Sequence, residues 1–248
     1  MRGATVLLSL VISSAALVAL VGGGPPGSSS LAAHASGASA FSIDADPSSS
    51  PGNTATSLGT RQTCARINLN GAQDADEDVV DGVTIDVTVN QIPTATAAIG
   101  FSYTLLYNES ALTVMAYTGA FILASNSGSS VFDASSPVAD SDGDNRWIGA
   151  EADTATGTSV SETGSGVLQR LTIGADIGAP TGVFDLILAS AGHIDAANVP
   201  HTPDTYENAR LAVNVACPKT DTDGDRVYDI DEVQCGSDPY SAASRPER

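Results

Sequence analysis

The sequence predicts an all-β fold: an antiparallel β-sandwich or jelly roll of eight to nine strands, followed by a short loop of regularly spaced carboxylates near the C-terminus. Three observations carry this prediction. Short runs of β-branched and aromatic residues alternate with polar ones at period two. Turn residues (Gly, Pro, Asp and Ser) separate the runs at short intervals, and no long stretch keeps a helical period. Many short strands punctuated in this way pack as two layers or close into a barrel, because each has a single apolar face to bury.

From the N-terminus, Arg2 precedes an apolar run over residues 5–21 (TVLLSLVISSAALVALV), which the Gly22-Gly-Gly-Pro-Pro segment breaks. A basic start, an apolar centre and small-x-small sites at Ala33-His-Ala35 and Ala38-Ser-Ala40 read as a secretory signal over 1–40, cleaved near 35 or 40. The alternative is an uncleaved membrane anchor. Residues 41–61 are rich in Gly, Ser, Pro and Thr and read as a linker or irregular N-terminal arm, with one apolar cluster at Phe41-Ser-Ile43. The sandwich is placed at 62–217 and a calcium-binding tail at 218–248.

Within the sandwich, residues 83–89 (VTIDVTV) alternate without fault, the pattern of a strand with one buried face. Residues 101–107 (FSYTLLY) repeat it with aromatics, and 112–117 (LTVMAY) follow a turn at Asn108-Glu-Ser110, which also matches a glycosylation sequon. Further strands are expected at 146–150, 167–173, 183–188 and 209–215. Loops are expected at 154–159, 164–166 and 178–180.

The chain carries a formal net charge of −19; without residues 1–40, 9 basic groups face 29 acidic ones, a net of −20. Such a field repels phosphate backbones and anionic lipid, which excludes nucleic acid as a partner and leaves no membrane contact beyond an uncleaved N-terminal anchor. Cations are attracted. In an exported chain three cysteines imply one disulfide and one cysteine left over. Cys64 with Cys217 would close a loop of about 150 residues, worth roughly 4–5 kcal/mol in the chain-entropy model. Cys217 with Cys235 would instead clamp the acidic tail. The first pairing is preferred. No Gly-x-Ser-x-Gly elbow, phosphate loop or His-Glu-x-x-His motif is present, so the chain is read as not an enzyme.

Residues 221–232 (DTDGDRVYDIDE) carry the most specific chemistry. Calcium takes six to eight oxygens, and a twelve-residue loop offers them from positions 1, 3, 5, 7, 9 and 12. Here those positions are Asp221, Asp223, Asp225, Val227 through its carbonyl, Asp229 and the two-oxygen ligand Glu232. The loop is EF-hand-like, except that Arg226 stands where a glycine usually allows a sharp turn and Gly224 stands two places earlier. A second, weaker calcium candidate is Asp140, Asp142, Asp144 and, at the twelfth place, Glu151. Asp74, Asp76, Glu77, Asp78 and Asp81 read as a solvated acidic loop.

Residues 221–239, with the trailing Gly236-Ser-Asp-Pro239, resemble a single thrombospondin type 3 calcium repeat. Residues 62–216 resemble a bacterial cohesin domain. The likeness rests on residues 81–89, on Tyr107-Asn-Glu-Ser-Ala-Leu-Thr-Val114, similar to the family's Tyr-Asp-Pro-x-x-Leu-x-Val with Asn108-Glu109 in place of Asp-Pro, and on residues 164–173. The resemblance implies a nine-stranded jelly roll related to carbohydrate-binding modules. It also implies adjacent first and last strands, which bring Cys64 and Cys217 close, and a non-catalytic recognition role. Cellulosomal cohesins bind dockerins, which carry two calcium loops; the single loop here is not dockerin-like. The partner is expected to be an extracellular protein or polysaccharide at the cell surface or in the medium. A glycan-binding module would use Trp147, Tyr117, Tyr206 or Tyr228 as a sugar platform, although core or turn positions are the commoner fate of such residues. A carbohydrate-active enzyme subunit is the remaining alternative.

Overall fold

The computed structural model describes residues 39–48, 51–69, 82–155 and 161–218. The signal segment to residue 38, the acidic group at 74–81, the loop at 221–232, any helical piece after it, Tyr228 and Cys235 lie outside the described residues. Twelve strands are described: β1 (Ala40–Asp44), β2 (Cys64–Ile67), β3 (Gly82–Ile92), β4 (Ala98–Leu106), β5 (Thr113–Thr118), β6 (Val131–Asp133), β7 (Arg146–Asp153), β8 (Gly164–Gly174), β9 (Gly182–Asp195), β10 (Pro200–His201), β11 (Thr205–Glu207) and β12 (Ala209–Val213). Among the described residues no helix is long and apolar enough to cross a membrane.

The strands form a β-sandwich of two sheets, one ordered β11-β1-β3-β8-β5 and the other β2-β12-β9-β4-β7-β6, with β10 added to β9. Most pairs are antiparallel, as expected. The exceptions are β1 with β11 and β2 with β12, which run parallel at the sheet margins. The surplus over eight or nine strands comes from pieces of two to five residues, too short for a period-two pattern to be visible in the sequence.

Alternation decides which side chains enter the core. Phe101, Tyr103 and Leu105 of β4 point inward, as do Trp147 of β7 and Ile85, Val87 and Val89 of β3, and all are buried in one apolar cluster. Burying each large apolar side chain contributes roughly 1.5–3 kcal/mol. Gly149 permits a close approach within this core, because a Cβ there would lie 2.3 Å from the Tyr103 ring and from Gln169 Oε1. Strand β9 runs past its expected end at Leu188 because Ala189, Gly192, His193 and Ile194 continue the pairing with β4. Strand β8 begins at Gly164, so the loop expected at 164–166 is its first stretch.

Two expectations need correction. The segment read as a linker over 41–61 belongs to the fold. Ala40–Asp44 is a fully buried strand between β3 and β11, and residues 51–62 lie as a strap over the outer face of the five-stranded sheet. The Val167 N–H donates to Thr54 O (3.1 Å), and Arg61 Nε donates to Ile43 O (3.0 Å). Strand β3 is accordingly buried on both faces at Asp86 and Thr88, not on one. Asp44 and Asp86 are direct cross-strand partners, a pairing that repels unless it is compensated. Arg170 compensates it with two bonds to Asp86 (2.6 and 2.8 Å), and Asn53 Nδ2 bridges both carboxylates at 2.8 and 3.2 Å. A strap rich in Thr and Gly looks like a linker because its hold on the sheet is polar and reaches residues distant in sequence.

The Cys64–Cys217 disulfide joins β2 to the segment just after β12, with Cα atoms 5.9 Å apart. The pairing preferred from the sequence is the one formed. The Asn108-Glu-Ser110 segment is a turn: Asn108 Oδ1 accepts from the Ser110 N–H at 2.9 Å and from its hydroxyl at 2.6 Å.

Candidate functional site

Among the described residues, no strap like the one over the other sheet lies on the outer face of the seven-stranded sheet. Outward positions of β4, β7 and β9 fall in register: Leu106 pairs with Ile187, and Thr104 pairs with Ile148 on one side and Ala189 on the other. Leu106, Ile148 and Ile187 are therefore neighbours on three adjacent strands, and they remain 37%, 38% and 39% exposed. Beside them, Leu106 pairs with Arg146, Ser102 with Ala150, and the exposed Phe132 of β6 with Ala152. Charge on this face is paired, as Arg210 Nε meets Asp185 Oδ1 at 2.9 Å. The result is a partly exposed apolar patch on a chain with net charge −19. Contiguous apolar surface with a polar surround marks interaction sites on soluble proteins.

An acidic turn borders this patch where β7 begins. Glu109, Asp142 and Asp144 bring carboxylate oxygens within 4.8 Å of one another. Of the four residues expected as a second calcium site, only Asp142 and Asp144 join this group. Asp140 is buried and accepts from the Tyr107 hydroxyl (2.6 Å), while Glu151 is turned into the sandwich, where it accepts from the Ala120 N–H (2.8 Å) and Gln169 Nε2 (2.6 Å). The twelfth place cannot return to the loop because Trp147 and Glu151 both point inward from β7. Glu109, which follows β4 by three residues, takes its place.

This acidic group is largely compensated by the protein itself. Glu109 accepts from the N–H groups of Gly143 (2.5 Å) and Asn145 (2.8 Å), and Asp144 pairs with Arg146 (2.5 Å). The donor set does not fit an oxygen-rich calcium cage, since one carboxylate is spent on two amides and another on a guanidinium. Burial pushes the Asp140 carboxyl up, and the neighbouring Glu109, Asp142 and Asp144 charges add to this against the Tyr107 bond. For Asp144, burial raises the pKa, but the hydrogen bonds and charge of Arg146 outweigh it, so this carboxyl titrates below the usual range. The turn therefore offers the patch an acidic margin.

Of the aromatic residues considered for a sugar platform, Trp147 is 0% exposed and packs between Tyr103 and Tyr117 at centroid distances of 6.0 and 5.2 Å. Tyr117 also donates its hydroxyl to Asp133. Tyr206 is exposed. Trp147 belongs to the core because the register that exposes Ile148 buries its neighbours. The apolar patch was missed in the sequence: its residues are single outward positions on three strands, and only the pairing register places them together.

No family model matches the chain, and no curated protein sequence matches it. Among solved structures, a type I cohesin of Clostridium thermocellum determined in a cohesin–dockerin complex is 14% identical over 73% of this chain and 97% of its own, with a TM-score of 0.45. The cohesin module of a Clostridium perfringens family 33 glycoside hydrolase is 10% identical over 72% of this chain and 98% of its own, TM-score 0.45. A non-cellulosomal cohesin of the archaeon Archaeoglobus fulgidus is 10% identical over 72% and 92%, TM-score 0.42.

Proposed function

We propose that this chain is a secreted, non-catalytic recognition module that holds an extracellular protein on the outer face of its seven-stranded sheet, with a C-terminal tail ordered by calcium. The observation that carries the recognition role is the patch of Leu106, Ile148 and Ile187 beside the Glu109, Asp142 and Asp144 margin. The chemistry selects a protein with an apolar contact surface flanked by lysine or arginine. Apolar contact supplies the affinity, and the charge of −19 steers a basic rim toward it. A protein partner is in keeping with the cohesin resemblance of residues 62–216.

The test is capture from the culture medium on immobilised wild-type protein, followed by binary binding of each captured protein in purified form to wild type, Ile148→Lys and Asp142→Lys. Loss of binding in both folded variants supports the reading. Undiminished binding in both, or capture of polysaccharide alone, overturns it.

Calcium at residues 221–232 rests on the spacing Asp221, Asp223, Asp225, Val227, Asp229 and Glu232. Carboxylates so close together repel one another without the ion, so calcium binding orders the tail. Affinity is expected at about 0.1–1 mM, usual for extracellular modules. Calorimetric titration of wild type, Asp223→Ala and Glu232→Ala decides this: equal heats in all three sink the assignment.

Secretion rests on the apolar leader. Of the two cleavage sites, the one near 35 leaves β1 whole. Cleavage near 40 would remove the Ser39 N–H bonded to Asp204 Oδ2 (2.9 Å) and the buried Ala40. The mass of the mature chain is expected to place its N-terminus upstream of Ser39.

A further inference from the structure

The triplet Asn-x-Ser/Thr, which marks an asparagine for N-linked glycan transfer in exported proteins, occurs once in the chain, at Asn108-Glu109-Ser110. It begins two residues past the end of β4, and Asn108 and Ser110 are both exposed. The backbone there is pinned. Asn108 O accepts from the N–H groups of Ala111 (3.0 Å) and Leu112 (2.9 Å), which are buried. The side chain is oriented by Ser110, whose N–H donates to Asn108 Oδ1 at 2.9 Å and whose hydroxyl donates to the same atom at 2.6 Å. An amide N–H only donates, so the atom it meets is the carbonyl oxygen and Nδ2 is the other branch. Among the described residues Asn108 Nδ2 makes no hydrogen bond. Elsewhere amide nitrogens are spent on the fold: Asn53 Nδ2 on Asp44 and Asp86, and Asn126 Nδ2 on Glu162. The triplet therefore falls on a surface turn, at an asparagine whose amide nitrogen is unused and whose substitution displaces no core side chain.

We propose that Asn108 carries an N-linked glycan, transferred from a lipid-diphosphate oligosaccharide during export. In the transfer, Nδ2 loses a proton and bonds to the anomeric carbon of the first sugar. The bond from that carbon to the diphosphate oxygen breaks, and the lipid diphosphate leaves with the electron pair. The proposal rests on the reading of residues 1–40 as an export signal, since the transferase and its donor meet exported chains. Timing favours the transfer. Glu109 is locked by the N–H groups of Gly143 and Asn145, 34 and 36 residues further on, so the triplet is free to enter a transferase before those residues have followed. Asn108 lies two residues beyond Leu106, which puts the glycan at the margin of the apolar patch.

The experiment recovers the full chain from its native culture medium and cell surface, and reads the peptide spanning Asn108 by tandem mass spectrometry. A sugar mass on Asn108 is expected in wild type and in Ser110→Thr. It is expected to be lost in Asn108→Gln and Ser110→Ala, each shown to be folded by its unfolding midpoint. Asn108 found without sugar, or a glycan on this peptide that survives Asn108→Gln, overturns the proposal. The N-terminus of the same sample separates this result from the secretion reading. A bare Asn108 on a chain that has lost its leader sinks the glycan alone, and a bare Asn108 on a chain that keeps its leader sinks both.

Discussion

The two outer faces of the sandwich invert the usual distribution of residues. On the five-stranded sheet, charged groups are buried: Asp44 and Asp86 lie beneath the strap over residues 51–62, held by Arg170 and Asn53. On the seven-stranded sheet, large aliphatic residues stand in solvent at Leu106, Ile148 and Ile187. Period-two alternation is the same on both. Among the described residues, the difference lies in whether another segment of chain covers the face, and it teaches that an outward position acquires its role from what lies above it. A covered face needs every charge matched, whereas an uncovered apolar face is free to meet a partner.

The comparison breaks most visibly at Arg170. Arg170→Met strips two charge-assisted bonds from the fully buried Asp86, and loss of one partner of a buried pair destabilises by about 3–5 kcal/mol. Denaturant unfolding is expected to show this, and a loss under about 1 kcal/mol would mean the covered face is wetter than its geometry. Asn53→Ala removes the bridge between two carboxylates and is expected to lower stability by about 1–3 kcal/mol, read in the same assay.

Between the faces, Glu151 supplies a pH test. Burial pushes its carboxyl up, against opposing hydrogen bonds from Gln169 and Ala120. A group with a raised folded pKa favours the folded state only while protonated, so its ionisation costs stability as pH rises from the ordinary carboxylate value through the folded one. Wild type is therefore expected to lose stability relative to Glu151→Gln as pH rises above the ordinary carboxylate value of about 4. A pH-independent difference would remove the burial argument. The smallest stability effect is expected on the open face, where Ile148→Lys changes unfolding by no more than about 0.5 kcal/mol, as surface substitutions do. A larger loss would mean that Ile148 belongs to the core rather than to an interface.

Much of the fold was legible because its long strands carry their own pattern. Residues 83–89, 146–150 and 167–173, and 101–106 of the expected 101–107, lie within strands whose inward side chains were visible in the alternation. The Cys64–Cys217 pair was legible from its position at the two ends of the domain. Strand β1 and the strap were not, because a five-residue strand and a Thr- and Gly-rich cover show no period, and Asn53, Gln62 and Arg61 act through hydrogen bonds to residues far along the chain. Glu151 matched a ligand spacing in a linear count. The inward turn of β7 gave it a different set of partners, and Glu109 came in from the end of β4.

What the sequence determined by itself was local: strand period, turn positions, the spacing of carboxylates over 221–232 and a net charge of −19. Tertiary structure alone decided which outward residues were covered and which were left bare. It also decided which carboxylates met. The reason is that local pattern depends on neighbours within one strand, whereas burial and coordination depend on pairing register and on the segments that fold back over a sheet.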